Sequence, residues 1–263
     1  MELRVFQVDA FTDTIFGGNP ACVVPLTDWL DDRLMLKIAQ ENAVAETAFF
    51  IPVGDHYHLR WFTPDIEMDL CGHATLATAH VLRQHLGDQS AELRFESRSG
   101  LLSVKPGNDS YTLDFPSRMP VVATLPEIIR KGIDRQPKEV WKARDYILVY
   151  ETEEDIQDIV LNRQVLDQIN LDPGGIIITA PGRTVDFVSR FFTPQSTIFE
   201  DPVTGSAHCS LIPFWSERLH KREMTALQVS ARVGKLGCIY AGERVYMSGE
   251  ARTYLAGTIY IDQ

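Results

Sequence analysis

The sequence predicts an α+β protein of two similar lobes from internal duplication, each a curled, mostly antiparallel sheet around a central helix. Three observations predict this: a repeated motif, a glycine turn opening an apolar helix after each copy, and many short strands punctuated by turn residues. Residues 60–64 read Arg-Trp-Phe-Thr-Pro, and 130 residues later, at 190–194, the chain reads Arg-Phe-Phe-Thr-Pro. Each copy closes a strand-like alternation, His56–Phe62 in the first half and Val185–Phe191 in the second. An acidic segment follows each, and then a glycine turn: Cys71-Gly72-His73-Ala74 and Thr204-Gly205-Ser206-Ala207. The two glycines lie 133 residues apart, so the second loop carries a small insertion.

The remaining elements follow in chain order. Alternation predicts strands at Leu3–Val8, Ala48–Val53, His58–Phe62, Leu93–Ser97, Leu101–Lys105 and Tyr111–Phe115, with a turn at Pro106-Gly107-Asn108-Asp109. Asp31–Val44 reads as an amphipathic helix through Leu34, Ile38 and Ala39. Ala74–Leu86 is apolar around most of its circumference, which calls for burial on nearly all sides, and Gly87 ends it. Ser210–Leu219 is the matching helix of the second half, with Pro213 expected to kink it or to mark its real start. Prolines cluster over 116–126, which places the first lobe at 1–117, joined by a last strand at 252–263, and the second at 118–251.

Composition narrows the function. The chain has 263 residues and a net charge of −11, which disfavours nucleic acid and anionic membranes as partners. His220-Lys221-Arg222 is the nearest basic patch, and the flanking Glu217 and Glu223 make it a solvated helix end. No segment approaches the roughly 20 apolar residues of a membrane span, and the first residues form no signal peptide, so a cytoplasmic protein is expected. Cys22, Cys71, Cys209 and Cys238 are scattered without a close pair, which supports neither a zinc site nor a redox dithiol. His56 and His58 share a strand face without a third ligand nearby and read as strand histidines, so no metal is expected.

Each glycine turn opens a helix, whose first N–H groups and dipole attract anions. Two such ends facing across a cleft between the halves would hold a carboxylate or stabilise an enolate-like charge. Around them stand Glu46, where a helix hands over to an apolar strand, His73 after the first turn, and Asp201 before the second. A dehydrated cleft raises a carboxyl group's pKa, which suits it to take and return a proton near neutral pH. Taken singly, each residue also has a purely structural reading: a surface carboxylate for Glu46, helix caps for His73 and Asp201, a core histidine for His208.

Val8-Asp9-Ala10-Phe11-Thr12 with Gly17-Gly18-Asn19-Pro20-Ala21, Val44-Ala45-Glu46-Thr47-Ala48, the Cys71–Ala74 turn and Asp201–Ala207 together resemble the PhzF-like phenazine-biosynthesis isomerase family. The resemblance implies a diaminopimelate epimerase-like fold, no cofactor, a homodimer, and a last strand near Arg252–Ile261 that returns to the first lobe. It implies that Glu46 is the general base and acid moving a proton between carbons of a small unsaturated or carbonyl-containing carboxylic acid. His73 and Asp201 would hydrogen-bond the substrate, and Gly72, Gly205 and Ser206 would bind its oxygens. Epimerase relatives carry one thiol beside each glycine turn; here Cys71 fills the first place but Thr204 the second, and a hydroxyl is too weak an acid to serve. An amino-acid racemase or epimerase, and a non-catalytic small-molecule binding protein on the same scaffold, are the alternative readings.

Overall fold

The computed structural model describes residues 1–171 and 174–262, and contacts divide the chain into two compact units. The first comprises Met1–Phe115 with Met247–Gln263, the second Pro116–Tyr246. The first unit contains β1 (Glu2–Ala10), β2 (Asn19–Pro25), α1 (Asp32–Asn42), β3 (Glu46–Val53), β4 (His56–Phe62), β5 (Glu67–Met68), α2 (Gly72–His85), β6 (Leu93–Ser97), β7 (Gly100–Pro106) and β8 (Ser110–Pro116). The second contains β9 (Val121–Val122), α3 (Glu127–Gly132), β10 (Glu139–Lys142), β11 (Tyr146–Val149), α4 (Glu153–Asp158), α5 (Arg163–Leu166), β12 (Ile176–Pro181), β13 (Phe187–Phe192), β14 (Glu200–Asp201), α6 (Gly205–Leu219), β15 (Glu223–Gln228) and β16 (Gly234–Ala241). Strand β17 (Arg244–Tyr260) starts in the second unit and belongs to the first from Met247 on. It lies antiparallel to β1, with Glu2 opposite Tyr260 and Asp9 opposite Arg252.

The pairings of the two units repeat one another. In the first, β1–β2 is antiparallel, β2–β3 parallel, β3–β4 antiparallel, β4–β6 parallel and β6–β7 antiparallel. In the second, β10–β11, β11–β12, β12–β13, β13–β15 and β15–β16 follow the same alternation. Even a charged contact is written twice. Arg60 forks onto Glu67 at 2.7 and 2.8 Å, and Arg190 onto Glu200 at 2.7 and 2.9 Å. Such bidentate pairs are directional as well as attractive, so each ties β4 or β13 to the short strand that leads into the glycine turn.

Local sequence accounts for the helices. Asp31 caps α1 by accepting from the Arg33 N–H at 2.9 Å, and Met35, Ile38 and Ala39 form its buried stripe. Helix α2 is buried from Gly72 to Leu82. Its threonines survive there because Thr75 and Thr78 return their hydroxyls to the carbonyls of Cys71 and Ala74. Helix α6 begins at Gly205 rather than Ser210 and runs through Pro213 to Leu219, which corrects the sequence expectation that Pro213 marks its start. A proline cannot donate to the carbonyl four residues earlier. That carbonyl, on Cys209, instead accepts the Arg118 N–H at 2.8 Å, so the helix continues without an orphaned acceptor.

Candidate active site

In the first unit the site is assembled at the starts of three elements. Glu46 opens β3, Gly72 opens α2 with His73 next, and Asn19 opens β2. The sequence reaches this arrangement through Gly18, whose φ is +59° and whose missing Cβ would fall 2.1 Å from the Ala10 carbonyl oxygen. Only glycine allows that approach, which delivers Asn19 to the helix end. His73 is 2% exposed, and its Nε2 stands 3.1 Å from Glu46 Oε2. Both atoms are buried, yet the contact is too poorly aligned to be a hydrogen bond. On the other edge of the ring, Nδ1 is 3.1 Å from Asn19 Nδ2 and 3.6 Å from Cys71 Sγ.

The electrostatics follow from burial and from these neighbours. Burial opposes charge on His73, but Cys71 and Glu46 outweigh it and hold the imidazole well above its ordinary value. Burial, reinforced by the Glu46 charge, pushes the Cys71 thiol up to about 11, so it is neutral at neutral pH. Glu46, Cys71 and His73 offer donor atoms within 4.8 Å of one another, a set chemically fit for a soft divalent metal. The ring presents Nδ1 to Cys71 and Nε2 to Glu46.

In the second unit, Asp201 ends β14, Thr204 is the residue before α6, and Gly205 and Ser206 open the helix. Neither His73 nor Asp201 is a helix cap: the cap positions belong to Cys71 and Thr204, and neither makes a side-chain cap bond. Instead Thr204 donates its hydroxyl to Asp201 Oδ2 at 2.5 Å. Sequence reasoning missed two residues here. Gln228, fully buried at the end of β15, accepts the Thr204 N–H at 2.8 Å and donates to the Asp201 carbonyl at 2.7 Å. Arg144, just before β11, donates from Nη2 to Ser206 Oγ at 2.8 Å. Neither lies near a motif, so only the pairing of distant strands could reveal them. His208 is a core histidine: Nδ1 donates to the Thr204 carbonyl at 2.8 Å, and burial lowers its pKa to about 4.

The duplication also shows what the second unit lacks. Thr47 pairs with Phe62, and the equivalent Phe192 pairs with Ile176, so Gly175 stands where the first unit has Glu46. A Cβ on Gly175 would lie 2.5 Å from Phe191 Cζ and 2.7 Å from the Phe192 carbonyl oxygen. The second unit thus has neither the carboxylate nor the thiol of the first.

The fold is that of PhzF proteins and of proline-racemase-type epimerases. A PhzF-family phenazine biosynthesis protein of Enterococcus faecalis superposes with a TM-score of 0.94 at 42% identity, over 99% of this chain and 100% of that one. A hydroxyproline epimerase of Agrobacterium vitis shares the fold alone, with a TM-score of 0.62 at 11% identity over 100% of this chain and 93% of that one. The sequence profile of the PhzC-PhzF family, phenazine biosynthesis-like proteins, matches residues 8–257, and the chain belongs to that family. An uncharacterized isomerase of Pseudomonas aeruginosa is 47% identical over 99% of this chain and 100% of its own length. The protein is accordingly an enzyme of the isomerase class. No described helix is long and apolar enough to cross a membrane.

Proposed function

We propose that this isomerase moves a proton between carbons of a small unsaturated or carbonyl-containing carboxylic acid, without a cofactor, with Glu46 as general base and then general acid. The observation that carries the reading is the 3.1 Å approach of Glu46 Oε2 to His73 Nε2, two buried polar atoms that lack an aligned partner. Buried polar groups normally satisfy each other, and a site that leaves them poised is one completed by a ligand. Glu46 removes a proton from a carbon next to the conjugated system, and the electron pair delocalises towards the carbonyl or carboxylate. The same carboxyl group returns the proton at the far end, so the double bond shifts and no atoms are gained or lost. His73 and Asp201 hydrogen-bond the substrate and steer reprotonation, while Gly72, Gly205 and Ser206 receive its oxygens at helix starts.

A racemase needs an acid and a base on opposite faces of one carbon. Thr204 in the place of Cys71, and Gly175 in that of Glu46, argue for a single proton-transfer centre. The test is incubation in heavy water with dihydro-hydroxyanthranilate, diaminopimelate, proline and several enolisable acids, beside the Glu46→Gln variant. Deuterium should enter carbon in one unsaturated acid, with loss of at least about 100-fold in the variant. Exchange that survives Glu46→Gln would refute the base assignment. Inversion of an amino acid that is lost in Cys71→Ser would favour the racemase, and binding without any exchange the non-catalytic protein. The reading also expects a homodimer acting on a small molecule in the cytoplasm, which sedimentation and cell fractionation would check.

A further inference from the structure

Two contacts occupy related places in the duplicated architecture. In the first unit, Asn19 enters β2 and reaches His73, the second residue of α2. In the second, Arg144 precedes β11, the strand equivalent to β2, and reaches Ser206, the second residue of α6. Each unit therefore uses a side chain at the mouth of its parallel strand pair to hold the residue after the glycine turn. The second unit builds this contact with more apparatus. Arg144, 15% exposed, donates from Nε to both oxygens of Asp145 at 3.1 and 3.2 Å and from Nη2 to Oδ2 at 3.0 Å. Asp145 is itself 1% exposed and takes the Gly175 N–H at 2.8 Å. Backbone, carboxylate, guanidinium and hydroxyl thus form one chain that ends on Ser206 Oγ.

The direction of the last bond decides what Ser206 can do. A guanidinium only donates, so Ser206 Oγ accepts from it and keeps its own hydrogen to give away. Ser206 is then a donor towards whatever occupies the start of α6. Asp145 already balances the charge of Arg144, so the guanidinium contributes orientation rather than bulk charge.

We infer that Arg144 is a positioning residue that locks the Ser206 hydroxyl as a hydrogen-bond donor and so makes the enzyme prefer a carboxylate oxygen over an uncharged amide. This rests on the proposed placing of substrate oxygens at Ser206, and it names the group that is read there. A hydrogen bond to a charged acceptor gives roughly a 10- to 100-fold preference.

The experiment is calorimetric titration of the full-length protein with anthranilate, benzoate and sorbate, each beside its own carboxamide. The Glu46→Gln protein is measured in parallel, so that binding is read without turnover. At least one carboxylate should bind about ten-fold tighter than its amide, in both proteins. Ser206→Ala should weaken that preference several-fold. Arg144→Met combined with Asp145→Asn should weaken it equally while leaving no unpaired buried charge, and thermal melting reports whether the fold is kept. The two losses should not add, because both act through one hydroxyl. Arg144→Lys should restore part of the preference. Absence of any carboxylate preference in the unmutated protein, an undiminished preference in the protein carrying Arg144→Met with Asp145→Asn, or additive losses would each overturn the inference. Failure of the proposed function reads differently: exchange would persist in Glu46→Gln with the carboxylate preference intact.

Discussion

Gln228 offers the sharpest link between packing and the candidate site. Its side-chain amide is fully buried and makes three contacts: it accepts from the Thr204 N–H at 2.8 Å and donates to the Asp201 carbonyl at 2.7 Å and to Thr204 Oγ1 at 3.2 Å. Gln228→Leu keeps much of the volume and deletes all three. The Thr204 N–H loses its acceptor inside the protein, and the Asp201 carbonyl loses a donor. At about 1–3 kcal/mol for each of the two groups, less about 1–2 kcal/mol of apolar burial gained by leucine, the net cost is on the order of 1–4 kcal/mol. Gln228→Glu tests direction separately. A carboxylate still accepts from Thr204 but cannot donate to Asp201, so a comparable loss is expected at neutral pH and a smaller one in acid. Urea unfolding would supply the stability differences, and deuterium incorporation the effect on turnover. Because Thr204 holds the Asp201 carboxylate, turnover should fall in both variants even where they are fully folded. A Gln228→Leu protein within about 0.5 kcal/mol of the unmutated one, with undiminished exchange, would refute the reasoning.

Two further predictions concern residues whose role follows from burial. His80 and His208 are buried with pKa values lowered to about 4. Between about pH 6.5 and 4 the unfolded chain therefore binds protons that the folded chain refuses, and stability falls as pH falls through that window, by up to about 3 kcal/mol for each group. His208→Gln should flatten the slope, which urea midpoints at a series of pH values would measure. His73 has the opposite sign: its raised pKa gives stability that is full below about 6.5 and lost as pH rises through the folded value, so His73→Gln should remove an alkaline decline. Gly175→Ala should destabilise by about 1–3 kcal/mol, because its Cβ meets Phe191 and the Phe192 backbone, and Gly175→Glu should create no second exchange centre. Unchanged melting of Gly175→Ala would contradict the claimed close approach.

Part of the candidate site was legible because glycine turns and repeats leave short local signatures. A glycine turn must be contiguous, so Gly72 with His73 and Gly205 with Ser206 stand out, and the repeated Arg-aromatic-Phe-Thr-Pro pentapeptide announces the duplication. The partners of those residues were not legible. Asn19 lies 54 residues from His73, Arg144 62 from Ser206, and Gln228 24 from Thr204. Each reaches the site through strand pairing, and no periodicity in one segment encodes the register of another. The start of α6 was misplaced for a related reason. Pro213 looks like a boundary until Arg118, far away in the chain, supplies the donor that the Cys209 carbonyl would otherwise lack.

The sequence by itself determined the repeated order of elements, the apolar character of the helices behind the glycine turns, and the residue types available for proton transfer. Those properties are local or periodic, and they persist wherever a segment ends up. Only the tertiary structure decided that Glu46 and His73 meet at 3.1 Å, that the equivalent place in the second unit is a glycine no side chain can replace without displacing its neighbours, and that a guanidinium orients Ser206. Distances between side chains on different strands depend on register, twist and packing together, and those are properties of the folded chain.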